Sequence, residues 1–151
     1  MRIAIGSDHA GFNGKKTIAD ELARMGHEVI DFGVESPERK ADYPDIALRV
    51  ARSVASGDAD RGILVCGTGI GMSITANKVR GVRAALCYDE FTARMAREHN
   101  DANVLTMGER TTSIHAMLRI VREFLGTEFA GGRHAARVDK IMEAEQNSEG
   151  C

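Results

Sequence analysis

The chain has 151 residues, 43% hydrophobic and 28% charged, with 16 glycines, two prolines and no tryptophan; this is the make-up of one ordinary globular domain and excludes disorder over most of it. A formal net charge of -2, from 20 basic and 22 acidic residues, argues against a nucleic-acid-binding module, whose phosphate contacts need a basic surface. Its apolar runs are too short to cross a bilayer, the opening MRIAIGSDH lacks the apolar core of a signal peptide, and Cys66, Cys87 and Cys151 have no metal-ligand spacing, so a cytoplasmic protein with reduced thiols and no membrane partner is expected.

A first strand is predicted at residues 3–5, followed by a helix that carries Ile18, Leu22 and Met25 on one face and stops at Gly26, where glycine permits the left-handed conformation of a helix end. A second strand at 29–32 leads into residues 33–44, which hold both prolines, mixed charges and no periodicity and read as a long surface loop of the kind that often carries function. Helices at about 45–56, 72–79, 91–98 and 114–125 then alternate with strands at 63–66, 84–88 and 104–107. The chain breaks at Gly131 and Gly132 and resumes a helical pattern through Val138, Ile141 and Met142, a terminal helix that must dock on its own domain or on a second subunit. Short strands that are apolar on both faces, alternating with helices, predict an α/β fold of three layers, a Rossmann-like five-stranded parallel sheet with helices on both sides. Without a repeat or linker, residues 1–151 form a single domain, with 146–151, including Cys151, expected to be a mobile tail.

In an open parallel sheet the ligand site lies beyond the carboxyl ends of the strands. The first strand exits into GSDHAG and the third into CGTGIG, while the fourth helix ends in His99, Asn100 and Asp101. GSDHAGFN lacks the lysine and hydroxyl residue of a phosphate-binding P-loop, and GTGIG has the wrong spacing for a dinucleotide fingerprint. Three glycines opening a helix would instead let several backbone N–H groups converge on one anionic oxygen; the plainer alternative is a tight turn with glycines for packing alone.

Cys66 ends the third strand immediately before that loop, a placement that suits a base or nucleophile because N–H groups and a positive helix end stabilise thiolates. The alternative is a small buried hydrophobe, the reading that fits Cys87 within the fourth strand. Asp8, His9, His99 and Asn100 could reach one crevice as acid–base or hydrogen-bonding groups; taken singly, Asp8 also fits a helix N-cap, Asn100 a C-cap and His99 a solvated last-turn residue. The five histidines lie far apart in sequence, so a mechanism without metal or cofactor is expected. Arg133 and Arg137, four apart with His134 beside them, fit a phosphate clamp or, as spacing alone favours, a solvated basic face paired with Asp139 or Glu143.

GSDHAGF near the N-terminus, DYP at 42–44, CGTGIG at 66–71, TANK at 75–78, REHND at 97–101, NVL at 103–105 and GGRHAARV at 131–138 occur in one order over nearly the whole chain. In this the sequence resembles the ribose-5-phosphate isomerase type B family, which also includes galactose-6-phosphate and allose-6-phosphate isomerases. The resemblance implies aldose–ketose interconversion of a phosphorylated sugar without a metal, through an enediolate, by a homodimer with shared active sites, or a dimer of dimers, in which the C-terminal helix docks on the partner subunit. Cys66 would be the base moving the proton between C2 and C1, in the subclass that carries this cysteine rather than a glutamate. Thr68 would assist proton movement, and the backbone of Gly67, Gly69, Ile70 and Gly71 would stabilise the enediolate. His99 and Asp8 would open the furanose ring, Tyr43 and Asn100 would bind sugar hydroxyls, and His9, Arg110, Arg133, His134 and Arg137 would surround the phosphate. Ribose 5-phosphate is the expected substrate, with a six-carbon phosphosugar or a non-catalytic phosphosugar-binding module as the alternatives. The residues after Glu145 match no motif.

Overall fold

The computed structural model of the chain describes residues 1–147. Of the tail expected at 146–151, the first two residues close the last helix and the other four, with Cys151, lie outside the described residues. Strands β1 (Arg2–Ser7), β2 (Glu28–Asp31), β3 (Arg61–Cys66), β4 (Ala84–Leu86) and β5 (Val104–Gly108) alternate with helices α1 (Phe12–Arg24), α2 (Tyr43–Ala55), α3 (Ile70–Ala76), α4 (Glu90–Asn100) and α5 (Ile114–Gly126), and α6 (Arg133–Asn147) follows. The strands form one parallel sheet in the order β2-β1-β3-β5-β4. The expected Rossmann-like α/β architecture is therefore the one the chain adopts.

Strand alternation divides the core in two. Ile3, Ile5, Ile63, Val65, Leu105 and Met107 face α1, α4 and α5, whose Ile18, Leu22, Ala93, Ile120 and Phe124 cover them. Ala4, Leu64, Cys66 and Val104 point the other way, under Ile46, Val50 and Val54 of α2 and Met72 and Ala76 of α3. Each fully buried isoleucine or leucine contributes about 1.5–3 kcal/mol relative to leaving it exposed.

Several predicted boundaries need correction. Only the central strands β1, β3 and β5 are buried along nearly their whole length; β2 and β4 stand at the sheet edges and are part-exposed. β4 ends at Leu86 rather than 88, because Asp89 starts α4 with a capping box to Thr92. Cys87 thus lies just past the strand, yet it is 1% exposed, and burial pushes its thiol up to about 11. α2 begins at Tyr43, so Pro44 is not in the loop but in the first helical turn, where the missing N–H costs nothing. The role of α4 C-cap falls to Asp101, in the left-handed conformation at φ 45°, and not to Asn100.

Two features of this topology position the site. The chain leaves β1 in one direction to form β2 and returns on the other side to form β3, so the crevice where ligands bind in such sheets lies at the carboxyl ends of β1 and β3. Each helix runs back against the strands, so α4 ends beside the beginning of β5. α6 packs on α4 of its own chain, burying His134 and Val138 and leaving Ile141 exposed.

Candidate active site

The carboxyl ends of β1, β3 and β5 form an open cavity of about 520 Å³ whose walls include Asp8, His9, Tyr43, Cys66, Gly67, Thr68, Ile70, Gly71 and Arg110. Cys66 is 5% exposed, and its Sγ accepts a hydrogen bond from the Gly69 N–H at 3.1 Å. The sulfur therefore sits against the turn rather than merely near it. Gly69 has φ 78°, and a Cβ there would fall 2.6 Å from Leu86 and 2.8 Å from the Met107 backbone, so both conformation and space require glycine. At Gly71 a Cβ would stand 2.5 Å from the Tyr43 ring, and at Gly67 3.3 Å from the Arg110 guanidinium. The glycines of CGTGIG thus let Tyr43 and Arg110 lie directly on the loop. Thr68 Oγ1 accepts weakly from Ile70 N–H at 3.4 Å.

Asp8 is an N-cap, as its alternative reading held: one carboxylate oxygen accepts from Ala10 and Gly11 N–H at 3.0 and 3.2 Å. The second oxygen makes no such bond, and the side chain also lines the cavity. Capping and a place in the crevice are compatible here. His9 is exposed at the rim.

The remaining predicted residues form a second cluster. The rings of His99 and His134 stack with centroids 4.1 Å apart and planes 10° from parallel, joining the end of α4 to the start of α6. Ala130 N–H donates to Glu98 O at 3.1 Å, which brings the Gly131–Gly132 break against α4. Burial pushes the His134 imidazole below its ordinary value, and the charges of His99, Arg133 and Arg137 push the same way, with Glu98 opposing. Arg133 and Arg137 are exposed and form no ion pair among the described residues, so the pairing with Asp139 or Glu143 is absent. Asn100 is exposed at the helix end, where its carbonyl accepts from Arg83 Nε.

Within one chain these two clusters do not meet: the crevice that includes Asp8 and His9 does not include His99 and Asn100. Gly62 pairs with Val104 and Cys66 with Gly108, so α4 ends level with the start of β3, roughly 13 Å along the strand from Cys66. Arg97 fixes that remote end. It is 2% exposed, and Nη1 donates to Asp101 Oδ1 at 2.8 Å and Ala102 O at 2.6 Å. The reading of REHND from sequence missed this anchoring role, for which the only signal was an arginine on the apolar face of an amphipathic helix.

Among the described residues, no group of three or more His, Cys, Asp or Glu side chains is arranged to hold a metal ion, and no helix is long and apolar enough to cross a membrane. A thiol, a carboxylate and an amide-lined turn at the switch point of a parallel sheet are the parts of an acid–base enzyme. Residues 3–141 match the family described as Ribose/Galactose Isomerase. The chain is 48% identical to ribose-5-phosphate isomerase B of Escherichia coli, over 96% of this chain and 97% of that protein. A structure of Clostridium thermocellum ribose-5-phosphate isomerase B superimposes with a TM-score of 0.96 at 56% identity, covering 98% and 99% of the two chains. That of the Mycoplasma genitalium enzyme with bound ribulose-5-phosphate gives 0.92 at 44% identity, covering 96% of each. The chain belongs to the Ribose/Galactose Isomerase family, and it is an isomerase rather than a non-catalytic binding module.

Proposed function

We propose that the chain interconverts ribose 5-phosphate and ribulose 5-phosphate through an enediolate, with Cys66 as the base and no metal. The observation that carries this reading is the Cys66 sulfur at the switch point, held 3.1 Å from the Gly69 N–H. Moving a proton between C2 and C1 needs a base beside both carbons and electrostatic support for the oxygen that becomes negative. Cys66 takes the proton from C2 and returns it to C1. Backbone N–H groups of residues 67–71 hold the developing oxyanion, Thr68 assists proton movement on the hydroxyls, and Tyr43, close against Gly71, contacts the sugar.

The substrate is supplied mainly as a ring, and ring opening needs an acid–base pair on its oxygens. Asp8 of one subunit and the partner's His99 fill that role, with the partner's Asn100 on the hydroxyls. His9 and Arg110 meet the phosphate from one side and the partner's Arg133, His134 and Arg137 from the other. Two observations support a site shared in a homodimer. A single chain holds the two clusters at opposite ends of its sheet, and exposed apolar side chains stand at the cavity's end of the sheet: Ile70 and Ile74 on the cavity wall, Leu86 beside Gly69, and Tyr88 and Phe91 just past the carboxyl end of β4. Such a rim is the usual mark of a covered surface. A phosphate bound far from the reacting carbons supplies binding energy that holds the open-chain sugar in place.

The test is turnover by purified protein of ribose 5-phosphate against galactose 6-phosphate and allose 6-phosphate, with and without a chelator. Preferred turnover of the five-carbon sugar, unchanged by the chelator, is expected. A preference for a six-carbon sugar, or activity restored only by a divalent ion, would replace the reading.

A further inference from the structure

The Cys66 turn, the Asp8 turn and Arg110 sit on three different strand ends, and one residue outside the assigned site, through its backbone and its side chain together, links the three. Glu109 follows β5, and its backbone N–H donates to Cys66 O at 2.9 Å, while the next residue, Arg110, donates to Gly67 O at 2.9 Å. These two bonds continue the β3–β5 ladder past Cys66 into the catalytic turn. The Glu109 side chain turns the other way and its Oε2 accepts from Gly14 N–H, also at 2.9 Å. Gly14 lies in the first turn of α1, directly after the Asp8 turn, and the N-cap position of that helix, Gly11, provides no capping side chain. A carboxylate reaching in from 95 residues away in sequence therefore replaces the missing cap, where the helix dipole favours negative charge.

We infer that Glu109 is a positioning residue for the isomerisation, a clamp that holds the Asp8 turn, the Cys66 turn and Arg110 in fixed relation. The approach is close. A Cβ at Gly14 would stand 3.2 Å from Glu109 Oε2 and 3.1 Å from Met117 Sδ, so the glycine leaves just the room the carboxylate needs. Glu109 touches no atom expected of the substrate and acts only through its neighbours. The inference rests on the proposed reaction, because it needs Asp8 and Cys66 to work on one sugar.

Glu109→Ala removes the acceptor, Glu109→Asp keeps the charge but is one methylene too short, and Glu109→Gln keeps an oxygen at the right reach. A misplacement of about 1 Å in an active site costs up to about a hundredfold in rate. Ala and Asp should therefore lower kcat for ribose 5-phosphate at least about tenfold with KM changed less, and Gln should stay within about threefold of wild type. A general loss of stability would not separate Asp from Gln in this way. A folded Glu109→Ala protein with wild-type kcat, or a Gln variant as slow as Ala, would overturn the inference. Amide hydrogen exchange gives a second readout that does not depend on the reaction. In Glu109→Ala, protection should fall at Gly14 and also across residues 67–71, and a loss confined to Gly14 would count against a clamp. If wild type itself turns over no phosphosugar while this exchange pattern appears, the proposed reaction fails and the clamp stands.

Discussion

The Cys66 cavity and the His99–His134 cluster are built by opposite means. The first stands on strand ends, and backbone groups do most of the positioning: Gly69 N–H on the sulfur, Ala10 and Gly11 N–H on Asp8, and ladder bonds from Glu109 and Arg110. The second stands on helix ends and is held by side chains: a ring stack, the buried Arg97 and exposed arginines with no ion-pair partner among the described residues. A region made of fixed dipoles suits bond-breaking steps, where reorganisation is costly. A region of long cationic side chains suits gripping a phosphate, where charge and reach matter more than sub-ångström placement.

The most damaging way to break the first region is Cys66→Ala. Loss of a proton-transfer base should cost at least about a hundredfold in kcat, while a change of one sulfur atom in a small side chain leaves folding cooperative. Wild-type-like turnover by the folded variant would remove Cys66 from the mechanism. The second region should respond in KM: Arg137→Ala is expected to raise KM for the phosphosugar severalfold with little change in Tm, since the side chain is exposed and forms no ion pair among the described residues.

Mixing the two lesions asks whether the regions belong to one site or to two subunits. A Cys66→Ala protein and an Arg133→Ala, Arg137→Ala protein should each be impaired, yet a mixed dimer with shared sites concentrates both lesions in one site and leaves the other whole. Random exchange of equal amounts should therefore restore about a quarter of the wild-type sites. No recovery despite demonstrated exchange would place both regions in the same subunit's site.

The same contrast explains what was legible in the sequence. The β1 and β3 exits were legible because the glycines of CGTGIG and the polar run after Ile5 follow directly on apolar strands, and a sheet places strand ends without further information. The boundaries of α2 and β4 slipped because Pro44 fits either a loop or a first helical turn and because Tyr88 continues an apolar run although its side chain is 64% exposed. The relation between Cys66 and His99 was not legible at all, since it depends on β5 pairing with β3 rather than following β4 in space. Glu109 gave no signal either: its partner Gly14 is distant in sequence, and an acidic residue after a strand is ordinary.

The smallest effect expected is the share of the pH dependence that the second region contributes. Burial first, then the charges of His99, Arg133 and Arg137, lower the His134 imidazole below its ordinary 6.5 in the folded chain. The unfolded chain therefore binds this proton more readily than the folded one, and stability rises with pH wherever that is so. The contribution is fully present above 6.5 and is lost as the pH falls from there through the lowered folded value, below which both states carry the proton and no further loss occurs. Tm should accordingly decline on acidification across this window, and His134→Gln should flatten part of the decline. Some slope will persist in that variant, because His27 is lowered in the same direction by burial and by the N-terminal ammonium. Inorganic phosphate sharpens the comparison: a dianion seated among His134, Arg133 and Arg137 would favour the protonated ring, so the wild-type decline should shrink in phosphate relative to an uncharged buffer of equal ionic strength. An identical profile in His134→Gln and wild type, with or without phosphate, would mean that His134 carries no proton linkage.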